Sequence, residues 1–166
     1  LVGSEMCIRD RPIACNSWQS RCMVSVAFCP TEYVENPFIQ SVALQATPFV
    51  VSPPPQGARW VTHVSAQLAS TAEPLVLIFA GEASQYAPAI GFSRRSLRTP
   101  AVGYVLIDPL MPTIGGDYGD WPDAPVTIVL TENPPDYALD AAKQAKLRGW
   151  NVTNESLQEV LESIAK

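Results

Sequence analysis

Three apolar runs without polar alternation constrain the fold of this 166-residue chain more than any other feature: "PLVLIFAG" (74–81), "AVGYVLIDP" (101–109) and "PVTIVLTE" (125–132). A strand with one wet face alternates apolar and polar residues, whereas a strand apolar at every position is covered on both faces, as parallel strands are. Helical patterns separate the runs. "RWVTHVSAQLAS" (59–70) places Trp60, Val61, Val64 and Leu68 at helical spacing. "EASQYAPAIGFSRRSL" (82–97) predicts a helix kinked at Pro88, because proline lacks an N–H and crowds the preceding turn. "DYALDAAKQAKLRGW" (136–150) is alanine-rich with a basic last turn, and Gly149 is its expected C-cap. A short strand at "PFVVS", another near "WNVT" and a final helix "SLQEVLESIAK" complete the pattern. Alternation of this kind predicts an α/β fold with a mostly parallel sheet of about four to six strands flanked by helices.

Handedness adds a consequence. If each strand lies beside the previous one and every crossover is right-handed, all connecting helices fall on one face of the sheet. The other face needs a cover: the last helix, the 23–45 segment, or a second copy of the chain. The last helix, helped by the N-terminal segment, is the favoured cover, with a homodimer as the alternative.

The formal net charge is −5 and the eleven Lys and Arg are scattered, which argues against nucleic acid or an anionic membrane as partner. The apolar runs fall far short of the roughly 20 residues that a spanning helix needs. A cytoplasmic protein is the expectation. All four cysteines (Cys7, Cys15, Cys22, Cys29) lie in the first 29 residues, with seven, six and six residues between them. Zinc sites use close Cys-x2-4-Cys pairs, so neither a metal site nor another cofactor is expected. "LVGSEMCIRDR" (1–11) resembles the peptide made when a sequencing adapter is translated with a gene, as in a fragment, and Met23 could be a start. "MVSVAFC" (23–29) alternates like a short strand. The expected organisation is therefore an N-terminal segment, 1–46, and one α/β domain, 47–166.

From Pro48 to about Val152 the chain resembles the small lidded α/β-hydrolases of actinobacteria. The resemblance is carried by "FVVSPPPQGARW", "PLVLIFAGEASQYAPAI", "VGYVLIDPLMP" and, most specifically, "WPDAPVTIVLTENPPDYALDAAKQAKLRGWNV". It implies a minimal hydrolase-like core with a reduced lid, the loop "GGDYGDWPD" standing where the family inserts one. Asp117, Asp120 and Asp123 in that loop lack the order of a calcium-binding loop and read as a solvated acidic turn.

The catalytic pattern departs from the family. In G-x-S-x-G elbows a serine sits on a strained strand-to-helix turn, and here Gly81 takes its place. Glycine adopts positive φ freely, so the turn can keep its shape without a nucleophile. Ser84 is the remaining nucleophile candidate, but it lies three residues into the helix and is flanked by Glu82 and Tyr86 rather than glycines. The family's histidine follows the last strand, where "WNVTNESLQEV" has none. The lone His63 lies on the first helix and reads as a satisfied or surface residue. Pro53, Pro54 and Pro55 occupy the loop expected to offer an oxyanion N–H and have none to give, leaving Gln56 or Gly57 to reach. Asp108 and Glu132 stand at strand ends where a triad carboxylate could belong, and each could equally cap a loop.

Gly81, Glu82, Asp108 and Glu132 are thus expected to mark a vestigial site. The favoured reading is a degenerate, non-catalytic relative that binds a small apolar or ester-like ligand or a partner. The alternative is an active esterase-like hydrolase using, for example, Ser84 with Glu132. A nucleotide-binding module is the third reading, but no G-x-G-x-x-G or P-loop follows any strand.

Overall fold

A computed structural model describes residues 24–29, 49–52, 55–57, 59–71, 74–112, 121 and 124–164. Residues 1–11, the cysteines other than Cys29, and the acidic loop residues Asp117, Asp120 and Asp123 lie outside them. The elements are β1 (Ser25–Cys29), β2 (Phe49–Val50), α1 (Trp60–Leu68), β3 (Leu75–Ala80), a 3-10 helix (Gly81–Tyr86), α2 (Ala87–Ser96), β4 (Gly103–Ile107), β5 (Val126–Val129), α3 (Asp136–Leu147), β6 (Asn151–Thr153) and α4 (Leu157–Ile164).

The described strands form one six-stranded, wholly parallel sheet in the order β2-β1-β3-β4-β5-β6. The expected α/β class and parallel sheet are therefore present. The division expected after residue 46 cuts this sheet, however. β1 lies upstream of it and is an inner strand, paired with β2 through Ala27–Phe49 and with β3 through Ser25–Leu75 to Cys29–Phe79. Its reason for being inside is the same as for the longer runs: Val26 and Phe28 pack on one face, Ala27 and Cys29 on the other, all buried. The short strand expected at "PFVVS" is β2, Phe49–Val50, at the edge of the sheet.

Two apolar layers flank the sheet. One contains Leu75, Leu77, Phe79, Tyr104, Leu106 and Ile128 under Val64 and Leu68 of α1, Ala87 and Ile90 of α2, and Ala145 of α3. The other contains Val76, Ile78, Val105, Ile107 and Val129 under Leu157 and Val160 of α4. The three crossover helices share one face, as right-handed connections require, and the last helix covers the other. The chain does reverse once: from edge strand β2 it passes back over β1 to reach β3.

Local chemistry sets the helix ends. Pro88 does not kink a helix; it sits in the first turn of α2, where its missing N–H has no partner to lose, and the six residues before it form a 3-10 helix. Arg94, almost fully buried on α2, donates from Nη1 to Leu68 O at 2.7 Å and so satisfies a C-terminal carbonyl of α1. Gly149 closes α3 at φ +73°, with Trp150 N donating to Ala145 O at 3.0 Å. Ser156 and Glu159 form a capping box at the start of α4, the Ser156 N–H and hydroxyl donating to Glu159 Oε2 at 2.9 and 2.8 Å.

Candidate functional site

The C-terminal ends of β3, β4 and β5 lie side by side, and they bring together Gly81, Asp108 and Glu132. β3 leaves the sheet through Gly81 at φ +51°, directly after Ala80 in extended conformation. An L-residue there is disfavoured by about 1–2 kcal/mol, so glycine keeps this turn unstrained. The turn expected of an elbow is present: strand, left-handed residue, helix. Among the described residues, a Cβ added at Gly81 would meet only Tyr137 Oη, at 3.9 Å, an ordinary contact. Within that set the corner could take a Cβ without a clash, and it carries none. Tyr86, at the far end of the 3-10 helix, stacks on Trp60 of α1 with ring centroids 4.8 Å apart.

Ser84 is fully buried, and its Oγ has no hydrogen-bond partner among the described residues. A hydroxyl sealed from solvent cannot meet a substrate without opening of the 3-10 helix that carries it. Glu82 is exposed in the first turn of that helix.

β4 ends in a second left-handed residue, Asp108, at φ +41°. Its carboxylate is fully engaged: Oδ1 accepts from Thr131 N at 3.0 Å and Oδ2 from Thr131 Oγ1 at 2.5 Å. The Asp108 N–H donates to Val129 O at 3.0 Å, and Leu110 N donates to Gly81 O at 3.0 Å, stitching the two corners together. Asp108 is thus a loop-tying carboxylate, the reading left open beside the triad acid. Glu132, one residue beyond Thr131, is exposed.

His63 is remote from these strand ends in its bonding. Its Nε2 lies 3.0 Å from Ser52 O and 2.6 Å from Gln67 Nε2, so it is engaged at the end of the edge strand. At the position where a base would follow the last strand stands Asn154, exposed.

The oxyanion expectation rested on the wrong loop. The segment beginning at Pro53 leaves from β2, and β1 lies between β2 and β3, so its origin is two strand spacings, about 10 Å, from the elbow strand. Pro53 and Pro54 themselves lie outside the described residues, as does the stretch directly after β1, the strand that neighbours β3.

The lid expectation changes at one end. Trp121 packs edge-to-face on Trp150 at 4.7 Å, and Arg148 Cζ lies 5.3 Å from the Trp150 ring. Trp150 immediately precedes β6, so this end of the loop is pinned at the N-terminal edge of the sheet, opposite Gly81; residues 113–120 lie outside the described set. Among the described residues no cluster of His, Cys, Asp or Glu could hold a metal ion. Cys29 is fully buried at the end of β1, and desolvation pushes its thiol far above the ordinary range, which keeps it protonated and unreactive.

Tyr137 is the neighbour of Gly81 that sequence reasoning missed. It stands 56 residues downstream in the first turn of α3, and only the parallel topology brings it to the corner.

No protein-family model matches the chain, and no curated protein matches it. Among solved structures, it is similar to a protein from Pectobacterium atrosepticum provisionally called a YdeN-like hydrolase. The two agree with a TM-score of 0.55 over 79% of this chain and 76% of the other, at 12% sequence identity. The likeness is one of fold. It joins the hydrolase-like α/β architecture to the resemblance carried by the sequence motifs, and it leaves the chemistry to the residues at Gly81. No helix among the described residues is long and apolar enough to cross a membrane.

Proposed function

We propose that this chain is a non-catalytic α/β-hydrolase-like protein that binds a small apolar or ester-like ligand at the C-terminal edge of its sheet. The observation that carries the reading is the left-handed corner at Gly81, which has an elbow's backbone and no nucleophile. The burial of Ser84, the engagement of Asp108 by Thr131 and the absence of a histidine after β6 all agree with it. Of a nucleophile–base–acid relay, the elbow serine and the base are missing and Ser84 is sealed; of the two carboxylates Asp108 is occupied by Thr131 and Glu132 is exposed with no base beside it to orient. A ligand's carbonyl or ester group would rest beside Gly81, near the Tyr137 hydroxyl.

The test has two readouts on the same protein. Turnover of p-nitrophenyl butyrate should not exceed the buffer rate, and saturable turnover that is lost in Ser84→Ala would instead establish the esterase alternative. Binding is read by thermal shift with short-chain esters and fatty acids. A ligand present at about 100 times its Kd stabilises by roughly 2.7 kcal/mol, a shift of several degrees. No shift with any of these probes would contradict a retained binding site.

A further inference from the structure

The first turn of α3 brings a phenol hydroxyl to the Gly81 corner. Pro134 and Pro135 lead into that turn, and the Pro135 carbonyl accepts from Ala138 N at 2.9 Å and from Leu139 N at 3.3 Å, which fixes the backbone that carries Tyr137. Ala138 and Ala141 behind it are buried. Tyr137 itself is 43% exposed, with its Oη 3.9 Å from the point where a Cβ on Gly81 would lie. Among the described residues this Oη makes no hydrogen bond.

A ligand oxygen in the volume of the missing side chain need come only about 1 Å nearer than that point to reach Tyr137 Oη at an ordinary O–H···O distance. A phenolic hydroxyl can donate, so it suits an oxygen that has lone pairs and no hydrogen of its own. Carbonyl and carboxylate oxygens both meet that description.

Charge around the corner decides between them. Glu82 follows Gly81, Asp136 precedes Tyr137, and Glu132 follows Thr131; all three are exposed, and Asp108 at the end of β4 adds a fourth carboxylate. Most described cations lie at the opposite edge, because each crossover helix starts beyond the C-terminal end of a strand and finishes at the other side. Arg94, Arg95 and Arg98 stand at the end of α2, and Lys146 and Arg148 at the end of α3. Lys143 is paired with Asp140 at 2.8 Å. Arg59 heads α1, whose Trp60 stacks on Tyr86 at the far end of the 3-10 helix, about 10 Å along that helix from Gly81. The stretches that follow β1 and β4 in sequence, 30–48 and 113–120, contain no Lys, Arg or His.

A carboxylate ligand would therefore shed water and meet charge of its own sign. An ammonium ligand would be attracted, but exposed carboxylates hold a cation weakly and its charge would still lose water. An ester or ketone carbonyl has no charge to desolvate and no N–H to satisfy, and it gains the bond from Tyr137. Resting on the ligand-binding reading of this corner, we infer that Tyr137 is its specificity-determining residue: the hydroxyl donates to the carbonyl oxygen of a neutral ester or ketone, and the acidic rim turns away the free carboxylate. Affinity falls in the order neutral carbonyl, ammonium, carboxylate. The corner thereby distinguishes an intact ester from the acid that hydrolysis would release.

Isothermal titration of the full chain with ethyl butyrate, the isomeric hexanoate and pentylammonium tests that order. At low ionic strength ethyl butyrate should bind roughly tenfold more tightly than hexanoate. Tyr137→Phe keeps the ring and removes only the hydroxyl, so the Kd for ethyl butyrate should rise roughly three- to tenfold. Butyl ethyl ether, which lacks the carbonyl, should bind wild type and variant alike, and the Tm of the unliganded variant should match that of the wild type. Equal affinity for ester and hexanoate, tighter binding of pentylammonium than of ester, an unchanged ester Kd in Tyr137→Phe, or an equal loss for the ether would overturn the inference and leave the binding site standing. A marked fall in the unliganded Tm would assign the hydroxyl to the fold and overturn it as well. Binding by none of these ligands would overturn both the inference and the reading on which it rests.

Discussion

β3 and β4 are neighbours that leave the sheet in the same way, through one residue in the left-handed region, and they maintain that conformation by opposite means. At β4 the residue is Asp108, which bears the cost of a Cβ at φ +41° and offsets it with two hydrogen bonds from Thr131. At β3 it is Gly81, which has no Cβ to strain and no side chain to bond. The Asp108 corner is built around its side chain and serves the structure. The Gly81 corner keeps a shape for which its own residue supplies no chemical use, and that shape is the one a nucleophile elbow requires.

The contrast can be broken by exchange of side chains. Asp108→Ala should have the largest effect, because it removes two bonds to a carboxylate and retains the backbone strain. A loss of about 2–4 kcal/mol is expected in denaturant unfolding. Asp108→Gly should recover about 1 kcal/mol of that loss by relieving the left-handed Cβ. If alanine and glycine are equally destabilising at 108, the strain argument fails there. Gly81→Ala should cost only about 1–2 kcal/mol, the intrinsic penalty at positive φ, because the added methyl meets nothing closer than 3.9 Å among the described residues. A loss much larger than that would mean that the corner is packed shut and has no room for a ligand.

Arg98 offers a second non-glycine left-handed residue as a control, at φ +60° after α2, where Arg98 N donates to Arg95 O at 2.9 Å and Thr99 N to Arg94 O at 3.1 Å. This is the geometry in which glycine normally ends a helix, so Arg98→Gly should stabilise by about 0.5–1 kcal/mol and raise Tm. No gain would show that positive φ is not a useful measure of strain in this chain. The smallest effect expected is that of pH on the capping box of α4. Hydrogen bonds from Ser156 hold the Glu159 carboxyl below its ordinary range. A lowered folded value means stabilisation that is present above the unfolded value and lost as pH falls through the folded one. The Tm advantage of the wild type over Glu159→Gln should therefore be present at neutral pH and be lost as pH falls below the ordinary glutamate range and through the lowered folded value. An advantage that persists in acid would contradict the assignment.

The parts of the molecule legible in the sequence are those whose signal is local. "LVLIFA", "GYVLI" and "VTIV" are apolar on both faces and became the inner strands β3, β4 and β5, while Gly149 closed α3 as its position suggests. Handedness showed that the second face needs a cover, and α4, the favoured of three candidates, packs there. β1 was harder to place, since five residues in a segment rich in cysteine and proline carry too short a pattern to distinguish an inner strand from a peripheral one. Pro88 was legible as a break in the helix but not as the start of a second, because the 3-10 helix before it obeys no apolar period. At the site, the glycine at the elbow was legible because a left-handed turn demands it. Tyr137, the Asp108–Thr131 tie and the contact of His63 with Ser52 were not, because each joins residues that only the fold brings together.

The central claim is that the Gly81 corner leaves the protein without a working nucleophile. It is tested most directly by incubating the folded wild-type chain with a fluorophosphonate probe at neutral pH and weighing the intact protein. The account predicts the unmodified mass. A single covalent adduct that maps to Ser84 and disappears when the protein is unfolded would contradict it.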